Sequence, residues 1–160
     1  MTIFFSRLRI GYPEPLKEPE DTAESWRVYT VCSSLRRGSC TTRKDVRELG
    51  VEDQKKARKA FIALINRAKT GQPLSELYDK KRCHEAFEIN FNGKPIKIFR
   101  LRTADVRIYF CYLPNKVIVL LKTLSKREDD LSDGEKTEIE NIARSVLQYA
   151  EPNLFTQRVI

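Results

Sequence analysis

The chain has 160 residues, 41% of them hydrophobic, which suffices for one domain with a real core and not for two sizeable ones. Its 30 Lys and Arg against 22 Asp and Glu leave a formal charge of +8, which favours a polyanionic partner and binding that weakens with salt. No apolar run is long enough to span a bilayer, and the four cysteines and single histidine lie too far apart for a zinc knuckle, so a cytoplasmic protein with reduced thiols and no cofactor or metal is expected.

In chain order, Thr2 to Ile10 has the composition of a short strand, and Gly11 to Glu24, with Pro13, Pro15 and Pro19 among acids, reads as a linker. Residues 1–25 are therefore an expected appendage, 26–151 the domain and 152–160 a tail. Trp26 to Cys32 alternates and is rich in β-formers, so a strand opens the domain. Thr42 and Asp45 suggest the capped start of a short helix that stops at Gly50. Ala57, Ala60, Phe61, Leu64, Ile65 and Ala68 follow helical spacing, with Gly71 and Pro73 as stops. The other side of that helix carries Lys55, Lys56, Arg58, Lys59, Arg67 and Lys69, a solvated face or an extension of a nucleic-acid footprint.

His84 to Phe91 and Lys94 to Arg102 read as two strands joined by Asn92 and Gly93, the preferred residues of a tight hairpin. Asp105 to Tyr112 and Val117 to Leu124 continue the meander around the turn Leu113 to Lys116. Ser132 and Glu135 fit a capping box, and Ile139, Ile142, Ala143, Val146 and Leu147 mark a closing helix that ends near Pro152. The order strand, helix, helix, strand meander, helix implies an α+β fold: an antiparallel sheet with helices packed on one face and the other face open for a ligand.

From Lys94 to Arg127 there are nine basic residues and one acid, Asp105. Alternation lets Phe99 and Leu101 pack on a core while Arg100 and Arg102 point away together. Guanidiniums meet phosphate with a forked, permanently charged donor set, so such a row fits polyphosphate or nucleic acid. His84 is read as structural, because nothing in the sequence fixes it beside the arginines. Cys83 and Cys111 are read as small, partly buried residues, since a catalytic thiol needs an activating base.

At RLRTADVRIYF, the turn LPNKVIVLL and then SKRED, the chain resembles the RelE/ParE-like toxin superfamily, including its phage-derived and HigB-type branches. The resemblance covers Lys97 to about Tyr149, with a matching order of elements from Trp26 to Ile89. It falls on Arg100, on Arg107 with Ile108 and Tyr109, and on Lys126 with Arg127. It implies a metal-independent, cytoplasmic endoribonuclease that cuts messenger RNA at the ribosome and is neutralised by an antitoxin. In that reading Arg107 and Arg127 grip the scissile phosphate, Arg100 holds the neighbouring backbone, and Lys126 or Lys97 moves a proton. Arg102, Tyr109 and Lys122 would join Lys97 in holding RNA, with Tyr109 as a stacking platform. Two positions depart from the family pattern: Ile98 stands where a second basic residue is expected and Asp133 where a tyrosine is expected. His84, Tyr109 and Tyr112 are the substitutes at hand. The departures also fit a ParE-like gyrase-binding toxin or a member that binds nucleic acid without cutting it.

Overall fold

The computed structural model describes residues 3–8, 22–34, 36–74, 78–79, 81–128 and 130–149. The expected linker up to residue 21 and the expected tail after residue 149 lie outside the described residues. Among the described residues, six strands and three α-helices follow one another as β1 (Phe4–Arg7), β2 (Arg27–Cys32), α1 (Thr41–Glu48), α2 (Val51–Lys69), β3 (Cys83–Phe91), β4 (Lys94–Thr103), β5 (Val106–Leu113), β6 (Val117–Ser125) and α3 (Asp133–Tyr149). The fold is α+β, as expected, but the sheet is mixed. Its order is β1-β2-β6-β5-β4-β3, with β2 parallel to β6 and the remaining pairs antiparallel. β1 lies within the stretch read as an appendage and forms one edge of the sheet.

The tight turns follow from their residues. Asn92 and Gly93 both take positive φ, 51° and 78°, which suits the two-residue hairpin between β3 and β4. Gly71 ends α2 for two reasons: its φ is 78°, and a Cβ there would meet the Glu24 carbonyl oxygen at 2.6 Å. The same corner is pinned by the Trp26 N–H, which donates to the Ala68 carbonyl, and by the Ser25 hydroxyl, which donates to that of Lys69.

The expectation of one open sheet face is overturned: among the described residues, helices pack on both faces of the sheet. Val28, Leu101, Ile108, Phe110, Ile118 and Leu120 pack with Ala57, Ala60, Phe61 and Leu64 of α2. Strand residues of the opposite parity, Tyr29, Ile98, Tyr109, Cys111, Val119 and Leu121, pack with Ile139, Ala143 and Val146 of α3. The physical cause is visible in β5, VRIYFCYL, which is apolar at both parities and so needs a cover on each side.

β2 pairs with β6 only as far as Thr30 opposite Leu120. Beyond that point α1 caps the exposed edge: Asp45 accepts the Thr123 N–H at 2.9 Å, which removes an unpaired strand donor. The expected cap role of Thr42 and Asp45 is therefore replaced by tertiary contacts. Cys40 is the N-cap residue, and the Thr42 N–H donates to the hydroxyl of Thr30 on β2. Cys40 also forms a disulfide with Cys32, which overturns the expectation of reduced thiols at this pair. Bridge pairing sets the two Cα atoms 4.0 Å apart, a tertiary approach that their spacing does not reveal. Among the described residues no helix is long and apolar enough to cross a membrane.

Candidate functional site

Directly opposed residues of antiparallel strands share a face. His84 opposes Arg100, and Arg100 opposes Tyr109, so β3, β4 and β5 set these three side chains in one row. The next row holds Arg102 opposite Arg107, which in turn opposes Leu124 of β6. Both rows lie on the α3 side, and Lys126 and Arg127 follow β6 at the same end of the sheet. Three of the expected arginines are thus brought together. Lys97 is not: it lies on the other parity of β4, beside Glu85 at 3.5 Å in a largely exposed pair worth little.

These arginines are unequal in access. Arg107 is 0% exposed and donates through Nη1 to the Ala104 carbonyl at 2.6 Å. Arg102, half-buried, donates from Nε to the same carbonyl at 3.3 Å. Ala104 sits in the β4–β5 turn with a positive φ of 52°. Arg100 is 6% exposed, and its Nη2 lies 2.7 Å from Nε2 of His84. Nδ1 of the same imidazole lies 2.9 Å from the Glu85 carbonyl. Tyr109 is 1% exposed, so its ring is a core side chain and not the accessible stacking platform expected of it.

The two lysines are held by acids. Lys126 bonds Glu135 at 2.7 Å, and Glu135 also accepts the Ser132 N–H while its own N–H donates to the Ser132 hydroxyl. This is the capping box read from sequence, with an added cation. The Lys126 hydrogen bond and then those from Ser132 hold the Glu135 carboxyl below its ordinary range. Lys122 bridges Asp45 of α1 at 3.1 Å and Glu138 of α3 at 3.0 Å. Burial alone would lower the Lys122 ammonium, but the Glu138 hydrogen bond and the Asp45 charge outweigh it and raise it. Burial pushes the Asp45 carboxyl up, partly offset by the Thr123 N–H and Lys122.

Arg127 is exposed, and among the expected site residues it is, with half-buried Arg102, the group most open to a ligand on this side. Exposed cations also lie on Arg43, Lys44 and Arg47 of α1, on Lys55, Lys56, Arg58 and Lys59 of α2, on Lys94 and Lys97 of β4 and on Lys136 and Arg144 of α3. Lys69 is buried, and Arg67 stacks over the Tyr78 ring at 4.1 Å, so the basic face of α2 is narrower than its sequence suggests.

Burial pushes the Cys83 thiol up to about 11 and that of Cys111 up to about 12, so both stay protonated at neutral pH and fit a packing role. Among the described residues no group of three or more His, Cys, Asp and Glu is placed to hold a metal ion. Sequence reasoning did not place His84 beside the arginines, and the structure sets it against Arg100. An unbroken register from the Asn92–Gly93 turn would set it opposite Leu101, on the α2 side. A bulge between Glu85 and Phe87 shifts the register by one and turns His84 onto Arg100.

Comparison with family models, with curated proteins and with solved structures gives no match to this chain.

Proposed function

We propose that the chain is a RelE/HigB-like endoribonuclease that cuts messenger RNA at the ribosome and is held inactive by an antitoxin. The observation that carries this reading is the convergence of Arg100, Arg102 and Arg107 at the end of the sheet where Lys126 and Arg127 leave β6. Cleavage beside a 2′-hydroxyl requires that its proton be removed, that charge on the phosphorane be stabilised, and that the leaving 5′-oxygen be protonated. In this reading half-buried Arg102 and exposed Arg127 would meet phosphate oxygens with forked donors. Buried Arg107 contributes a fixed positive field from behind them. Lys126, already hydrogen-bonded to a carboxylate, is the candidate proton donor. An antitoxin segment with acidic side chains would compete for the cations that Glu135 and Glu138 now hold.

A second reading has its own support. α3 covers the arginine face, and its acids neutralise both lysines, which suits a member that binds gyrase or nucleic acid without cutting. Induced expression of the wild type against Arg102→Ala/Arg127→Ala, with primer extension on cellular messenger, separates the two. Both side chains reach the surface, so this pair leaves the core intact, whereas Arg107→Ala would empty a fully buried site. Growth arrest with new messenger cuts, lost in the double variant at equal protein level, is the expected result. Arrest without cuts selects the binding reading.

A further inference from the structure

We propose that His84 is the proton acceptor of this site, masked by Arg100 at rest and released when a phosphodiester takes Arg100 over. The proposal rests on the RNA-cleavage reading above. The geometry fixes the protonation pattern of the ring. A carbonyl oxygen only accepts, so Nδ1, which faces the Glu85 carbonyl at 2.9 Å, carries the hydrogen. A guanidinium only donates, so Nε2, which faces Nη2 of Arg100 at 2.7 Å, presents its lone pair. An imidazolium would set an N–H against an N–H and one positive charge against another. Arg100 and the Glu85 carbonyl thus select one tautomer, with Nε2 as the ring's acceptor.

Place in the fold adds to this. β3 is the outer strand of the sheet, and His84 is half-buried near its start. A ligand can therefore reach the pair along the sheet edge although α3 covers the face. Arg100 lies one strand further in, and Arg102 and Arg107 one row beyond it. A phosphate drawn to this row offers Arg100 a charged acceptor in place of a neutral imidazole, and charge-assisted bonds are about twice as strong as neutral ones. The exchange frees Nε2 next to the bound phosphate.

In the cleavage step the 2′-hydroxyl gives its proton to Nε2, its oxygen bonds to phosphorus, the P–O5′ bond breaks, and the 5′-oxygen takes a proton from water. The products are a 2′,3′-cyclic phosphate and a 5′-hydroxyl. His84 returns its proton to solvent and Arg100 closes on it again.

The test uses the full chain, messenger-programmed ribosomes and, in parallel, a free oligoribonucleotide. His84→Gln keeps an acceptor for Arg100 and so protects the fold, while His84→Ala opens space for added imidazole. With wild-type melting temperature, both variants are expected to lose about 10²-fold or more in cleavage rate. Imidazole should restore part of the rate to His84→Ala and nothing to an Arg102→Ala/Arg127→Ala control, an outcome that a purely structural histidine would not give. Folded variants that cut at the wild-type rate overturn the assignment and leave the ribonuclease reading standing. A wild type that cuts neither substrate overturns both.

Discussion

Asp45 accepts the Thr123 N–H with one oxygen and the Lys122 ammonium with the other, so a single side chain holds α1 against β6. Its carboxyl is raised mainly by burial, so the folded state binds the proton more tightly than the unfolded chain does. Its charge therefore costs stability at neutral pH, and protonation as the pH falls through the raised value restores it. The neutral amide of Asp45→Asn can still accept the Thr123 N–H, while Lys122 keeps Glu138. Asp45→Ala leaves the strand donor without its acceptor. Urea unfolding at neutral pH should find Asp45→Ala less stable than Asp45→Asn by about 1–3 kcal/mol. Equal stabilities would mean that another group takes over the N–H. At this scale the sequence was legible where alternation alone decides: Phe99 and Leu101 do pack on one core while Arg100 and Arg102 take the other side. It was illegible at His84, because a one-residue bulge reverses parity and nothing in CHEAFEINF marks where the bulge falls.

α3 is the element on which the accessibility of the arginines depends. Its stripe of Ile139, Ala143 and Val146 docks on the strand residues around Tyr109, and its first turn is fastened by Ser132, Glu135 and Lys126. Because Glu135 titrates below its ordinary value, its contribution is present above pH 4.5, the usual glutamate value, and is lost as the pH falls through the depressed one. Amide exchange in the first turn of α3 should therefore accelerate below that pH while the β5 and β6 amides stay protected. In Glu135→Ala the same turn should exchange fast at neutral pH, with a loss of about 1 kcal/mol expected for a cap. A first turn whose protection is indifferent to both changes would show that the apolar stripe alone holds the helix. The elements themselves were readable from the 3.6-residue stripe, the Asn-Gly turn and the capping box. The cover on both sheet faces was not anticipated, although the unbroken apolar runs of β5 and β6 carry its signal. The alternating strand next to them, with its outward arginines, suggested one open face instead. Which face receives α3 is fixed by docking, which local pattern does not encode.

At the scale of the whole molecule, the net charge divides into two populations. Arg100, Arg102 and Arg107 are buried or half-buried and Lys122 and Lys126 are held by acids, whereas Lys94 and Lys97 of β4, Lys136 and Arg144 of α3, and the cations of α1 and of the outer side of α2 face solvent. Only the second group can release counterions over a broad surface. Lys55→Glu/Lys59→Glu should weaken binding of single-stranded RNA and lower the salt slope by roughly 0.7 for each phosphate that is no longer neutralised, read by fluorescence anisotropy across a salt series. An unchanged slope would assign those lysines to solvation alone. This division was not legible in the composition, because a count of lysines does not say which of them a folded chain encloses.

The parallel pairing of β2 with β6 also dictates an order of assembly. Arg27 pairs with Val117, ninety positions later, so the first strands of the domain have no central partner until the meander has left the ribosome. The long-range closure puts the slow step late, since the entropy of the intervening loop is spent before the contact rewards it. The arginine rows, built wholly from the β3–β6 meander, can form earlier than the sheet that carries them. A nascent chain released before β6 would hold α1 and α2 with their apolar side unmatched, and it would be a substrate for chaperones and proteases before it could act on anything.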